Sequence, residues 1–319
     1  MSLAASPLRK LTQEELDAYK KDGVIMVKGL IEPNWLEMIA LGIDEALNNA
    51  SLYGRYVSHK VEGYNMDSYL WKRSDYIRDL IYYSPFAHWA QQLMASEEVR
   101  FFYDQMFVKE PGVDAPTPWH QDLSFWPIKG HQMCSFWVPL DPVTQDSSGL
   151  QYVKGSHMWS ERYRPVAPGN IGGIDSDLPA PPDVHANIDN YDHACWDMEP
   201  GDVTIFHPLT LHGSSGNKNR KQKRRALALR WLGEDVVHAP DMSPVPIPYK
   251  HDNTPGSPVA GPLFPRILPS HIPSERAQRA KGIESLLTID TAKTMAKSAM
   301  TSAKSFLRNG QAGEHKETW

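Results

Sequence analysis

"VRFFYDQMFVKEPGVDAPTPWHQDLSFWPIKGHQMCSFWVPLDPV", Val99 to Val143, is the stretch whose reading decides the fold. Runs such as "VRFFYDQMFVK" and "QMCSFWVPLD" are apolar and aromatic, and Gly, Pro or Asp breaks them at near-regular intervals. The same texture continues in "SGLQYVKGSH", "GDVTIFHPLTLHGSS" and "RRALALRWLGED". Several short strands punctuated by turn residues predict a β-sandwich or jelly roll.

Upstream the pattern is helical. In "LTQEELDAYKKDGVIMVKGL", Thr12 stands three residues before Glu15, a capping-box spacing, and Asp22-Gly23 reads as a helix stop before a short strand. "PNWLEMIALGIDEALNNA" and "SDYIRDLIYYSPFAHWAQQLM" carry apolar residues at helical spacing. Tyr53 to Arg73, between them, shows no clear period and reads as a surface segment or part of a lid. We therefore expect a mainly helical part over 1–98, a β core over 99–235 and a terminal part over 236–319, together forming one structural domain. Within the core, residues 160–198 form an insertion rich in Pro, Gly, Asn and Asp, a second candidate lid. The Pro-rich stretch after Asp235 is expected to wrap the surface in extended form. A helical extension is expected from Ser274 to Gly310.

Composition narrows the function. The 319 residues carry a formal net charge of −5, which argues against nucleic acid as the main partner. No apolar run approaches the ~20 residues of a membrane helix, and the N-terminus lacks the order of a signal peptide. The two cysteines, Cys134 and Cys195, make no disulfide framework. A cytoplasmic protein acting on a small molecule is expected, and no feature specifies an oligomeric state. Cys134 reads as a core filler.

His120 and Asp122 stand two residues apart in "PWHQDLSFWP". On a strand such residues share a face, so an imidazole and a carboxylate can be presented side by side. A third ligand should come from a later strand, and His212 in "GDVTIFHPLTLHGSS" is the candidate. Two imidazoles and one carboxylate leave open positions, the arrangement of non-haem iron(II) oxygenases. His207 has the opposite parity to His212 and is the weaker candidate. An open-site ferrous enzyme commonly uses a dicarboxylate co-substrate, whose distal carboxylate needs a buried guanidinium. Six basic residues lie between Lys218 and Arg225. Lys218 to Lys223 read as a solvated turn, whereas Arg224 opens the run "RALALRW" and can point inward while Arg225 points out. The opposite register stays open.

Together, "PWHQDLSFWP", "FWVPLDPVTQDSSGLQYVKGSH" and "GDVTIFHPLTLHGSSGNKNRKQKRRALALRW" resemble the phytanoyl-CoA dioxygenase family of Fe(II)- and 2-oxoglutarate-dependent oxygenases. "LTQEELDAYKKDGVIMVKGLI" resembles the family's opening helix and strand, so the likeness runs in order from about residue 10 to about 235. It implies a double-stranded β-helix, a cupin-like jelly roll with N-terminal helices packed on one sheet. It implies His120, Asp122 and His212 as iron ligands, Arg224 as the arginine that grips 2-oxoglutarate, Ser214 as its hydroxyl partner and Trp137 beside the co-substrate. The implied reaction consumes O2 and 2-oxoglutarate, releases succinate and CO2, and hydroxylates, desaturates or cyclises a small organic substrate. Asp122 argues against halogenation, because related halogenases carry a small residue there. Phe125, Trp126, Gln105 and Lys109 are candidate substrate contacts. Gly149, Gly155, Ser156 and His157 read as a structural turn. Two other classes compete: a cupin-like metalloenzyme that does not use 2-oxoglutarate, and a non-catalytic jelly roll that binds a ligand.

Overall fold

Thr12 caps the first helix as its spacing predicts. Its hydroxyl accepts from the Glu15 amide while the Glu15 carboxylate accepts from the Thr12 amide. Helix α1 (Gln13–Asp22) then ends at Gly23, whose φ of 72° a side chain would resist. Strand β1 (Val24–Val27) and helix α2 (Pro33–Asn48) follow. The computed structural model describes residues 7–166 and 176–269.

Tyr53 to Arg73 is more ordered than its pattern suggested. Helix α3 (Leu52–Lys60) is capped by Ser51, and strand β2 (Tyr64–Ser68) joins the main sheet. Asp67 organises this corner, accepting from Ser51 and from Arg73 while fully buried. Such a strand hides from a pattern search because its partners, not its own alternation, bury it. Ser74 to Met94 splits into α4 (Asp75–Tyr83) and α5 (Phe86–Met94) at Ser84-Pro85. Proline cannot supply the amide that a continuous helix needs there.

The remaining strands are β3 (Val99–Lys109), β4 (Thr117–His120), β5 (Ile128–Lys129), β6 (Met133–Pro139), β7 (Leu150–Val153), β8 (His193–Cys195), β9 (Val203–Phe206), β10 (His212–Ser214), β11 (Arg224–Leu232), β12 (Val237–His238) and β13 (Arg266–Leu268). The larger sheet runs β1-β9-β6-β11-β3-β13, with β2 also paired to β3; the smaller runs β4-β10-β7-β8. A β12-β5 pair stands apart from both. The fold is mostly β with helices, a jelly roll.

Strand β11 shows how the layers are built. Leu227, Leu229 and Trp231 on one face belong to the main core with Ile39, Leu80 and Trp89 of the helices. Ala226 and Ala228 on the other face pack with Trp137, Tyr152 and Phe206 between the sheets. The inner face therefore reads Arg224, Ala226, Ala228, Arg230, and the two small side chains leave room between the arginines. A cavity of about 220 Å³ lies there.

The 160–198 insertion contributes β8 to the smaller sheet, and its Tyr163 and Val184 pack against Val153 and Leu211. The Pro-rich stretch does more than wrap the surface: Val245 to Tyr249 line the cavity, and Ile247 and Phe264 are buried. The expected helix from Ser274 to Gly310 lies outside the described residues. Among the described residues no helix is long and apolar enough to cross a membrane.

Candidate metal centre

His120 and His212 are direct cross-strand partners in the β4–β10 pairing, so both imidazoles leave the same face of the smaller sheet. Their ring centroids are 4.2 Å apart. Asp122 is not on the strand that its spacing suggested. β4 ends at His120, Gln121 is extended, and Asp122 begins a short 3-10 turn. The extended Gln121 still lets residues 120 and 122 project to one side. Its own buried amide is pinned, donating to the Leu209 carbonyl and accepting from the Tyr163 amide.

Each imidazole is oriented through its Nδ1. His120 Nδ1 lies 2.7 Å from the Pro118 carbonyl, and His212 Nδ1 lies 2.8 Å from the Thr210 carbonyl. A carbonyl can only accept, so both Nδ1 atoms carry a proton and Nε2 is left as the ligand atom of each ring. The Nε2 atoms approach Asp122 Oδ1 at 3.5 and 3.8 Å. One ligand atom from each of the three residues falls within 4.8 Å of the others. Among the described residues this is the one such group of His, Cys, Asp and Glu.

The electrostatics suit a cation. Burial works against the charge of Asp122, yet Arg230 and the two histidines hold its carboxyl well below the usual carboxylate range. Burial, helped by His120, pushes the His212 imidazole down to about 3, so it stays neutral. Anionic Asp122 and neutral His212 are the forms a divalent metal binds. His207 is absent from the group; its Nε2 faces the His131 carbonyl, and burial drives it down to about 4.

Arg224 and Trp137 line the cavity, the guanidinium carbon lying 5.7 Å from the tryptophan ring centroid. Arg224 is 2% exposed and Nε has no partner; Nη1 donates to the Phe107 carbonyl and Nη2 to Ser148 Oγ. Arg225 faces the other way and pairs with Asp141 at 2.8 Å. Strand alternation thus settles the open register in favour of an inward Arg224.

Ser214 reaches Arg224 indirectly. Its Oγ meets Ser148 Oγ at 3.1 Å and the Lys109 amine at 3.2 Å, and Ser148 stands between it and the guanidinium. Lys109 is likewise behind the cavity wall: its amine also donates to Ser148 Oγ and to the Ser215 carbonyl, and it does not line the cavity. Burial, with Arg224 adding to it, lowers the Lys109 amine to about 6. Among the described residues neither Arg224 nor Lys109 forms an ion pair with a carboxylate; their partners are hydroxyls and carbonyls.

Phe125, Trp126 and Gln105 line the cavity. Residues overlooked in the sequence join them. Arg230 donates to Asp122 and Gln105, and Tyr53, Tyr69 and Tyr249 supply much of the wall. Arg230 could have been found by parity, since it lies six residues after Arg224 and so on the same strand face. The tyrosines carry no comparable signal.

Comparison with known proteins places the chain among its relatives. A family profile described as phytanoyl-CoA dioxygenase matches residues 19–226. A probable phytanoyl-CoA dioxygenase of Caenorhabditis elegans is 28% identical over 127 residues, 37% of each chain. The alignment thus spans little more than a third of that relative. The multifunctional dioxygenase prhA of Penicillium brasilianum is 22% identical over 72% of this chain and 75% of its own. The solved carbocyclase SnoK, described as non-haem and alpha-ketoglutarate dependent, superposes with a TM-score of 0.63 at 20% identity, covering 83% of this chain and 99% of its own. The epimerase SnoN, solved with Fe3+, alpha-ketoglutarate and nogalamycin RO, gives 0.63 at 19% identity over 80% and 98%.

Proposed function

The chain belongs to the phytanoyl-CoA dioxygenase family, and from that premise we propose that it is an iron(II)- and 2-oxoglutarate-dependent dioxygenase. It oxidises a small organic substrate and releases succinate and CO2. The observation that carries this reading is the pairing of two features in one cavity: the His120–Asp122–His212 group, and the buried Arg224 with no carboxylate partner among the described residues.

The donor set fits iron. Two imidazoles oriented through their Nδ1 protons and one anionic carboxylate would hold it and leave other positions open. A ferrous ion held there supplies the centre at which the keto acid and dioxygen are activated. Arg224 binds the distal carboxylate of 2-oxoglutarate, where burial strengthens a charge-assisted hydrogen bond. Trp137 flanks it, while Ser148, Ser214 and Lys109 brace that end of the cavity. Arg230 and Ser135 hold Asp122 Oδ2, which leaves Oδ1 directed at the two imidazoles. Phe125, Trp126 and Gln105 wall the substrate space and exclude water.

We also read the described residues of the three parts, 1–98, 99–235 and 236–319, as one structural domain; a core cluster running from Leu11 to Leu268 supports this, and residues 270–319 lie outside the described residues. A cytoplasmic setting belongs to the same reading and rests on the two unpaired thiols, Cys134 and Cys195.

Adding 2-oxoglutarate to the anaerobic ferrous protein should produce a visible charge-transfer band. Admitting oxygen should yield succinate. Neither signal should appear with His212→Ala, and a wild-type protein giving neither would refute the assignment.

A further inference from the structure

Arg230 is 3% exposed and lines the same cavity as the three candidate ligands. Its Nε donates to Asp122 Oδ2 at 3.2 Å, and its Nη2 donates to Gln105 Oε1 at 3.0 Å. Nη1 is buried and has no acceptor. The guanidinium cannot easily swing away to find one. Its carbon lies 4.4 Å from the Tyr103 ring centroid and 5.7 Å from that of Trp126, and those two rings are joined by a 2.8 Å hydrogen bond. A buried donor left without an acceptor is costly, and a ligand oxygen removes that cost.

The charge of that oxygen follows from the neighbours. Asp122 is the one carboxylate paired with Arg230 among the described residues. On the proposed function Asp122 is also a metal ligand, and a carboxylate shared with a dication no longer neutralises the guanidinium. The seat therefore favours an anion. It is not the seat of the co-substrate's distal carboxylate, because Arg224 lies six residues away along β11, about 20 Å of strand. The walls beside Arg230 are flat and largely apolar. Tyr69 stacks on Tyr103 at 5.2 Å, Tyr249 meets Tyr69 edge-on at 4.8 Å, and Phe125 meets His120 edge-on at 5.8 Å.

We propose that Nη1 of Arg230 binds a carboxylate of the substrate, and that this carboxylate is carried on a flat, largely apolar ring system. The inference rests on the proposed function of the metal site and specifies its substrate class.

The test uses the full chain, anaerobic, with Mn(II) and saturating 2-oxoglutarate, and a matched pair of probes: 2-naphthoate and methyl 2-naphthoate. Calorimetry should show the acid binding at least about tenfold more tightly than the ester. Arg230→Gln should abolish that preference and Arg230→Lys should keep part of it. Equal affinities, no binding of either probe, or a preference surviving in Arg230→Gln overturns the inference. Should Arg230→Gln fail to fold, the wild-type ratio decides alone. The ferrous charge-transfer band separates the two readings. No band overturns the functional premise, and the inference with it; a band without acid preference overturns the inference alone.

Discussion

Arg224 and Arg225 are adjacent and identical in type, yet have opposite surroundings. Arg225 pairs with Asp141 through two side-chain hydrogen bonds near the start of β11, whereas Arg224 is buried against Trp137 with an unused Nε. On the proposed function, Arg224→Ala should weaken 2-oxoglutarate by roughly a hundredfold, since removing one partner of a desolvated charge pair costs about 2–5 kcal/mol. Titration of the anaerobic band reads this directly. Arg225→Ala should instead lower unfolding free energy by about 1 kcal/mol with unchanged co-substrate affinity; the reverse pattern would exchange their roles. Lys109 gives a related contrast. Its amine braces Ser148, Ser214 and the Ser215 carbonyl behind the wall. Lys109→Met should therefore raise KM for 2-oxoglutarate severalfold while the wild-type preference for an acidic substrate persists. A lost acid preference would return Lys109 to the substrate contacts expected from sequence.

Strand β3 is tied to the chain before it by one buried carboxylate. Asp104 accepts from the Leu70 and Trp71 amides, which fixes the turn that follows β2. Burial outweighs those hydrogen bonds and raises its carboxyl to about 7. The sign follows. The folded protein keeps a proton that the unfolded chain releases, so the contribution to stability is lost as pH rises from about 4 to about 7 and is flat above. A loss of a few kcal/mol over that window is expected, read as the urea midpoint against pH. Asp104→Asn should flatten that slope, and an unchanged slope would remove Asp104 as its source. Legibility differed among elements for the same physical reason. Helices α1 and α2 and strand β3 declare themselves because their own periodicity matches the face they bury, and β11 does so because its apolar run is buried on both faces. Strand β2 carries Asp67, whose buried contacts to Ser51 and Arg73 no local period encodes. The segment Val245 to Tyr249 reads as extended because of its prolines, yet only the tertiary path brings Tyr249 to the cavity. At the site, the His120–His212 pairing was inferable from order and residue type, but Asp122 reaches it from a 3-10 turn rather than a strand.

Across the molecule, the cavity spans both sheets and its contents should hold them together. His120 and His212 stand on the smaller sheet, while Asp122 is gripped by Arg230 of β11 on the larger. Arg224, also on β11, would take the far end of a co-substrate bound at the metal. Ligands seated there bind the native arrangement and not the unfolded chain, so loading must raise stability. At a hundred times the dissociation constant the gain is about 2.7 kcal/mol. For a β core with its packed helices that corresponds to about 5–10 °C in Tm. The expected series is a rise with Mn(II), a further rise when 2-oxoglutarate is added, and reversal by a chelator. Arg224→Ala should keep the first step and lose the second, because its three candidate ligands are intact. His212→Ala should lose both, because two donors remain and the co-substrate then lacks its anchor. A co-substrate step that appears without metal, or one that survives in both variants, would mean that the two ends of the cavity act independently.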